Sequence, residues 1–207
     1  LKGMSLYSKY IVSKLINVGC GSKPIRKQRE KVLPLCEGEV LEIGAGSGLN
    51  FPYYDPNNVS KIYALEPDSE MLRQARIAAK SWDLNIEFIE SGAEEIALGD
   101  NVVDTVLLTY TLCSIRYPEL ALKEIRRVLR KNGKLVYCEH GIAPERGVRN
   151  VQNIMNYFYP YLAGGCNLNR DIPDLIRKNG FKLEDIETMY LPGTPKWSGY
   201  NYWGVAH

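Results

Sequence analysis

The sequence of 207 residues lacks the features that mark a membrane-spanning or secreted protein. It contains no apolar run near the roughly 18 residues that a membrane-spanning helix needs, and no signal peptide with a cleavage site. Its five cysteines are odd in number and form no CxxC pair, which does not suit a secreted disulfide scaffold. We therefore expect a cytoplasmic protein, and we predict no metal site.

The sequence also lacks a strong excess of charge of either sign. Its formal net charge is +2 and its pI is near 8.2, so we expect no nucleic-acid partner. One basic cluster near the start of the chain is either the solvated face of a helix or a contact with phosphate or an anionic membrane surface. Its members are Lys23, Arg26, Lys27, Arg29 and Lys31. No pattern indicates an oligomeric state.

Hydrophobic residues make up 45% of the chain, which is enough for one globular domain with its own core. Five apolar runs are typical of buried parallel strands, and stretches with helical spacing of apolar residues separate them. The runs are Val40–Ile43, Ile62–Leu65, Ile86–Ile89, Val102–Thr109 and Lys134–Glu139. This alternation predicts an α/β fold with a doubly wound, Rossmann-like sheet and helices on both faces.

The start of the chain does not follow this alternation. Residues 1–35 predict an N-terminal helical cap whose second helix begins near Pro24. Leu1 to Gly3 precede Met4, and we expect them to be a cloning remnant outside the fold. Residues 36–207 are the predicted main domain.

The end of the chain also departs from the alternation. Gly133 is expected to stop a helix that spans residues 118–129, and the strand-helix pattern ends at Gly141. The elements predicted beyond it are an aromatic-rich helix over 148–162, a helix over 172–178, and strands near 181–190 and 199–206.

The first strand runs into the loop Gly44–Gly48 (GAGSG), which has glycine at alternate positions. Glycines let the backbone turn sharply and approach a ligand with no Cβ in the way. The helix N-terminus that we expect next favours a carboxylate or phosphate. The third glycine comes one residue earlier than in the GxGxxG of a dinucleotide site. The loop therefore favours a nucleoside joined to an amino acid, and an ordinary glycine turn is the alternative.

An acidic residue closes the next strand. Glu66 follows the loop by 18 residues, at a position where a carboxylate can accept both hydroxyls of a ribose. The alternative is that Glu66 caps the next helix together with Pro67. After the third strand, the backbone of Gly92 and Ala93 or the side chain of Glu94 is a candidate contact for adenine, with a plain turn as the alternative.

Together these motifs resemble the class I S-adenosylmethionine-dependent methyltransferases of the type 11 group. The matching segments are, in chain order, VLEIGAGSG, LEP, SGAEE, VVDTVLLTYTLCSI and EIRRVLRKNGKL. Two later segments, EHG at 139–141 and GGCNLNRD at 164–171, resemble the branch that holds the animal thiol and alkyl methyltransferases and their bacterial relatives.

The resemblance implies a seven-stranded sheet whose last strand is antiparallel. S-adenosylmethionine would lie at the carboxyl ends of the first strands, with S-adenosylhomocysteine as the product. Glu66 would bind the ribose, and the segment after the fourth strand would form the wall beside the methyl group. The residues implied in cofactor binding are Glu42, Gly44, Ala45, Gly46, Gly48, Asn50, Glu66, Pro67, Met71, Gly92, Ala93, Glu94, Thr109 and Leu112.

Methyl transfer makes few chemical demands on the protein, because the sulfonium is already activated. The protein must align the acceptor and exclude water, and a base is needed only if the acceptor loses a proton. His140, which ends the fifth strand, and Tyr110 are the candidate catalytic residues; the alternative for His140 is that it orders the following loop. Candidate acceptor contacts are Tyr7, Cys113, Tyr157, Asn167 and Arg170, for which packing or helix capping is the alternative.

The sequence therefore predicts an enzyme that methylates a small apolar or thiol-bearing acceptor. Two alternatives stay open: a lipid or quinone methyltransferase acting at a membrane surface, and a module that binds S-adenosylmethionine without catalysis. Methylation of nucleic acid is not expected. The segment from Thr109 to Leu112 (TYTL) does not match the Asn/Asp-Pro-Pro-Tyr pattern associated with methylation of base amino groups.

Overall fold

A single seven-stranded sheet forms the centre of the protein, in a computed structural model that describes residues 19–207. The strand order is β3-β2-β1-β4-β5-β7-β6. The strands are β1 (Gly38–Ile43), β2 (Val59–Leu65), β3 (Ile86–Ile89), β4 (Val103–Thr109), β5 (Leu129–His140), β6 (Leu183–Tyr190) and β7 (Tyr200–Ala206). The first five strands are parallel, and β7 is antiparallel to both of its neighbours. The predicted fold class is confirmed, including the antiparallel last strand.

Helices cover both faces of the sheet. They are α1 (Lys23–Val32), α2 (Ser69–Ala79), α3 (Pro118–Val128), α4 (Arg146–Met155), α5 (Tyr159–Leu162), α6 (Ile172–Lys178) and α7 (Lys196–Gly199), with 3-10 turns at Leu33–Leu35 and Phe51–Tyr53. Val40 and Leu41 are consecutive on β1 but belong to two different buried clusters. Side chains alternate between the faces of a strand, so each face of the sheet has its own core.

The predicted helix over 118–129 ends earlier than its basic residues suggested. Leu129 is already extended and pairs with Val103, so β5 begins there and includes Gly133. A Cβ on Gly133 would lie 2.9 Å from the Leu129 side chain and 3.0 Å from the backbone oxygen of Asp104. Gly133 therefore permits a close approach within the sheet and does not stop the helix.

The predicted helix over 148–162 is two helices, α4 and α5. Pro160 lies in the first turn of α5, where its missing N–H is tolerated, but it cannot continue a helix from the preceding turn. Pro160 was the signal in the sequence for this break.

The division into residues 1–35 and 36–207 stays a prediction. The first predicted helix, with Tyr7, lies outside the described residues.

Between residues 19 and 207, no helix is both long enough and apolar enough to cross a bilayer.

Candidate functional site

A cavity of about 1010 Å³ opens at the carboxyl ends of the parallel strands. The loops after β1, β2 and β4 form one side of it, and His140 at the end of β5 and residues of α4 and α5 form the other. Ligand pockets have volumes of roughly 300–1,000 Å³, so this cavity has room for a nucleoside-sized ligand and a second small molecule.

The glycine loop lies against β2 and lines the cavity. Gly44 and Gly46 have φ values of +71° and +57°, in the left-handed region that favours glycine. A Cβ on Gly44 would come within 2.5 Å of the Thr111 side chain, so the loop can approach the end of β4 only without a side chain there. A 3-10 turn at Phe51–Tyr53 follows, where an α-helix was predicted.

Glu66 faces this cavity and does not cap the next helix. Asp68 is the cap of α2, since its carboxylate accepts the backbone N–H groups of Glu70 and Met71, both at 3.0 Å. The two Glu66 oxygens accept backbone N–H groups of Gly46 and Asp68, also at 3.0 Å. Burial raises the pKa of Glu66, and these two hydrogen bonds oppose that rise. The capping alternative for Glu66 is therefore excluded.

Glu42 lies beneath the loop and does not line the cavity. Its carboxylate accepts hydrogen bonds from Asn50 Nδ2 and from the Tyr54 hydroxyl, both at 2.8 Å. Asn50 also donates to Thr109 Oγ1 at 2.9 Å and accepts from Arg29 Nε at 2.7 Å. Burial raises the pKa of Glu42 to about 7 despite the hydrogen bonds from Tyr54 and Asn50. Glu42 thus supports the site through Asn50.

This network also bears on the basic cluster of α1. Arg29 is only 4% exposed, and its guanidinium donates to the Cys20 backbone oxygen at 2.5 Å as well as to Asn50. The solvated-face interpretation is therefore wrong for Arg29, which sequence reasoning missed as part of the site. Lys23, Arg26, Lys27 and Lys31 are exposed, and Lys31 lies over the ring of Trp203.

Most of the predicted cofactor contacts line the cavity. Those that do are Gly44, Ala45, Gly46, Asn50, Glu66, Pro67, Met71, Gly92, Ala93, Glu94 and Thr109. Glu42, Gly48 and Leu112 do not line it. Gly48, with φ +83°, lies against the ring of Phe51, and Leu112 is fully buried in the core. Gly48 and Leu112 therefore lie behind the residues that line the cavity.

The segment after β4 is held by Glu139, a residue that sequence reasoning did not select. The fully buried Glu139 carboxylate accepts the backbone N–H groups of Thr111, Leu112 and Cys113 at 2.7, 2.9 and 3.3 Å. Burial is the main reason why the pKa of Glu139 lies well above its usual range, and the charge of Cys113 raises it further. The three hydrogen bonds lower this pKa but do not cancel the rise. The signal in the sequence was an acidic residue directly after the apolar run Leu135–Cys138.

Tyr110 lines the cavity with a strained backbone. Its φ is +55°, and residues in this region cluster at functional sites. Its hydroxyl donates to Asn201 Oδ1 at 2.7 Å, and burial raises the pKa of Tyr110 well above its usual range. The phenol keeps its proton at neutral pH, so Tyr110 is not suited to act as a base.

Cys113, His140 and Cys166 meet in the wall of the cavity. His140 Nε2 lies 2.6 Å from Cys166 Sγ, and the two sulfurs lie 3.5 Å apart. The Cys166 hydrogen bond lowers the pKa of Cys113 well below its usual range, with a further contribution from His140. Burial lowers the pKa of His140, but the charge of Cys113 and hydrogen bonding together raise it by more. The sequence order alone did not reveal that His140 faces two cysteine sulfurs.

Comparisons with known proteins agree with this geometry. The methyltransferase domain family matches residues 41–137. Two human proteins, the thiol S-methyltransferases TMT1A and TMT1B, are 30% and 31% identical to this chain; the matches cover 74% and 76% of this chain and 64% and 65% of theirs. A methyltransferase of Haloferax volcanii, solved with the activator Trm112, has a TM-score of 0.71 at 16% identity, over 97% of this chain and 95% of that one.

The fold is that of S-adenosylmethionine-dependent methyltransferases, and the match to the methyltransferase domain family covers just under half of this chain. The chain spans just under two thirds of the length of the thiol S-methyltransferases that it matches. The likeness to the Haloferax methyltransferase concerns the fold alone, because the sequence identity is low.

The cavity fits S-adenosylmethionine. A Cβ on Gly46 would protrude into the space before Met71 Cε, which would be 3.5 Å away, so the missing side chain leaves room for a ligand. Each Glu66 oxygen accepts one backbone N–H and retains capacity for one more hydrogen bond, as two ribose hydroxyls require. Glu66, Gly44 and Gly46 would hold the cofactor.

The predicted acceptor contacts are divided. Cys113 lines the cavity, whereas Tyr157 is 76% exposed and lies outside it; Tyr159 lines it and packs against Trp197. Asn167 and Arg170 do not line the cavity either. Asn167 donates to the backbone oxygen of Cys113 at 3.1 Å, and Arg170 donates to the backbone oxygens of Leu112 and Ile115. Both residues therefore hold the segment after β4, which would lie beside the methyl group. Asp171 caps α6.

Proposed function

We propose that this chain transfers the methyl group of S-adenosylmethionine to a small apolar or thiol-bearing acceptor. The observation that carries the proposal is that Glu66 and the glycine loop share one cavity with the Cys113–His140–Cys166 cluster. One wall is suited to a nucleoside, and the other brings thiol and imidazole groups to the same space. The match of residues 41–137 to the methyltransferase domain family supports the reaction type.

The cofactor supplies a methyl group already activated by the sulfonium. The residues of the chain must therefore bind, align and exclude water. The Glu66 carboxylate accepts hydrogen bonds from the ribose, and Glu139 fixes the segment from Thr111 to Cys113 beside the methyl position. His140 is the group in the cavity wall that can take a proton from an acceptor.

The acceptor side of the cavity is mainly apolar. Met155, Tyr159, Leu162 and Trp197 line it. These side chains favour an apolar acceptor, because they can bury its surface but cannot pair with charged groups. The relatives named thiol S-methyltransferases support a thiol as the acceptor group.

The test has two separate measurements. Calorimetry measures binding of S-adenosylmethionine, and release of S-adenosylhomocysteine measures turnover with a panel of alkyl thiols, amines and phenols. We expect binding together with turnover of one or more thiols. Absence of binding would contradict the cofactor assignment, and binding without turnover of any acceptor would favour a non-catalytic binding module.

A second candidate function rests on a cluster of exposed apolar side chains beside the cavity. Ile154, Tyr157, Phe158, Tyr161 and Leu162 are between 63% and 79% exposed, and Leu162 also lines the cavity. A patch of this kind can take up an apolar acceptor from a lipid surface. If so, the wild type floats with liposomes and the variant Phe158→Ser/Tyr161→Ser does not. Equal flotation of both proteins, or of neither, would contradict this function.

A further inference from the structure

Cys113, His140 and Cys166 together form the donor set of a soft metal ion. Their ligand atoms, two Sγ and one imidazole nitrogen, all lie within 4.8 Å of one another. Thiolate and imidazole are the ligands that select zinc over the hard cations magnesium and calcium. Two cysteines and one histidine, with a fourth position left open, is one of the ligand sets of catalytic zinc.

The distances within the cluster are near those of a zinc site. Bond lengths of about 2.3 Å to sulfur and about 2.0 Å to nitrogen place tetrahedral ligands about 3.8 Å (S···S) and about 3.6 Å (S···N) apart. The Cys113 and Cys166 sulfurs are 3.5 Å apart, which needs almost no movement. His140 Nε2 is 2.6 Å from Cys166 Sγ, so the imidazole must move back by about 1 Å, which a side-chain rotation can provide.

The residues around the cluster hold the three ligands in place. Glu139 accepts the Cys113 backbone N–H at 3.3 Å, and Asn167 holds the Cys113 backbone oxygen at 3.1 Å with its side chain and at 2.9 Å with its backbone N–H. Nε2 is the His140 ring nitrogen that faces the Cys166 sulfur, at 2.6 Å, so its lone pair is the one that a metal held by both sulfurs would bind.

We propose that Cys113, His140 and Cys166 bind one Zn²⁺ ion whose fourth coordination position faces the cavity. All three residues line the cavity, so a molecule in the acceptor space can reach the metal. The open position would bind the thiolate of an acceptor. This role of the metal in catalysis rests on the methyltransferase function proposed above, whereas the binding of the metal itself does not depend on that function. The prediction of no metal site from the sequence would then be wrong, because the three ligands are far apart in the chain.

Zinc at this position would activate a thiol acceptor. On binding, the acceptor S–H bond breaks, a sulfur–zinc bond forms, and the proton is released to solvent. His140, whose Nε2 is then bound to zinc, no longer takes this proton, so the metal replaces it as the group that activates the thiol. The thiolate electron pair then forms the bond to the methyl carbon, while the methyl–sulfonium bond breaks and leaves its electron pair on the sulfur of S-adenosylhomocysteine. The neutral thioether product is a weaker ligand than the thiolate, so it leaves and the zinc is not consumed.

The test uses the purified full chain, prepared under reducing conditions and stripped of metal with a chelator. Zn²⁺ is titrated against a competing chromophoric chelator, and Co²⁺ is added separately as a spectroscopic substitute. We expect one Zn²⁺ per chain and a thiolate-to-cobalt charge-transfer band. Cys113→Ala and Cys166→Ala each remove a metal ligand. Each should weaken Zn²⁺ binding by more than roughly 10- to 100-fold, which is the loss caused by removing a residue that only supports a ligand. Cys36→Ala, which removes a buried thiol elsewhere, should bind as the wild type does.

Three results would overturn the proposal. They are Zn²⁺ binding well below one per chain, equal affinity in the wild type and the two cysteine variants, and a Cys113–Cys166 disulfide in metal-free protein kept under reducing conditions. The cobalt spectrum of the wild type decides the matter even if a variant does not fold, since a missing charge-transfer band overturns the site. Calorimetry with S-adenosylmethionine on metal-free protein tests the proposed function independently of the metal.

Discussion

The two walls of the cavity differ in how far apart in the chain their residues lie. The cofactor wall is built from short segments that each follow a strand, such as Gly44–Gly48 after β1 and Glu66 after β2. The opposite wall joins Cys113 to Cys166, 53 residues away, and His140 between them. The first wall is therefore a local property of strand ends, whereas the second depends on how the helices after β5 fold back.

This difference predicts that the wall with Cys113, His140 and Cys166 depends more on buried hydrogen bonds than the cofactor wall does. Glu139→Ala removes the acceptor for three backbone N–H groups, each of which costs about 1–3 kcal/mol when buried without a partner. We expect the free energy of unfolding to fall by at least about 3 kcal/mol, measured by urea denaturation. Glu139→Gln keeps one carbonyl oxygen as an acceptor and should lose less. Equal losses in both variants would indicate that the hydrogen bonds are not the cause.

The cofactor wall also has a buried carboxyl, and its effect depends on pH. The folded-state pKa of Glu42 is about 7, raised from 4.5 by burial, so the folded state holds a proton that the unfolded state releases. The stabilising contribution of this proton is complete below about pH 4.5 and is lost as the pH rises through 7. Over that window the loss is roughly 3 kcal/mol, because one pKa unit corresponds to about 1.4 kcal/mol.

Glu42→Gln removes this titration. The unfolding free energy of the variant, relative to the wild type, should therefore rise by roughly 3 kcal/mol between pH 4.5 and pH 8. Denaturation at several pH values measures it, with Glu30→Gln on the exposed side of α1 as the control. A difference between wild type and Glu42→Gln that stays constant with pH would contradict a raised pKa for Glu42.

Removal of the Glu66 carboxylate should weaken binding of the cofactor at this wall. Glu66→Ala loses charge-assisted hydrogen bonds to the ribose, each worth about 1.5–3 kcal/mol, so affinity for S-adenosylmethionine should fall by at least about tenfold. Calorimetry measures the dissociation constant. Glu90→Ala, which removes an exposed carboxylate just after β3, should bind as the wild type does. Unchanged affinity in Glu66→Ala would remove Glu66 from the site.

The smallest expected effect separates the two walls most sharply. Arg170 positions the Leu112–Ile115 segment through backbone oxygens and does not line the cavity. Arg170→Ala should lower kcat for a thiol acceptor by about tenfold, which corresponds to about 1.4 kcal/mol, and leave cofactor affinity within about twofold. Arg170→Lys, which keeps one donor, should recover part of the rate. A parallel loss of cofactor affinity would contradict a role confined to the acceptor wall.

Sequence reasoning was most successful where a function follows from one strand and the loop after it. The strands of the doubly wound sheet, the glycine loop and the position of Glu66 follow from short apolar runs and the residues that end them, while the antiparallel last strand came from the family resemblance. It was less successful with polar residues that act through others. Glu42 and Arg170 were predicted to touch ligands, but they bind the backbone or side chains that form the wall.

The amino-acid sequence by itself determined the sheet, the glycine loop and the carboxylate at the end of β2, because each depends on interactions between residues close in the chain or on a regular strand-helix alternation. Only the tertiary structure decided that Arg29 and Glu139 are buried supports, and that Cys113, His140 and Cys166 share one wall. These contacts join residues from separate elements. Their distances are set by how the helices pack on the sheet, which no local pattern of residues specifies.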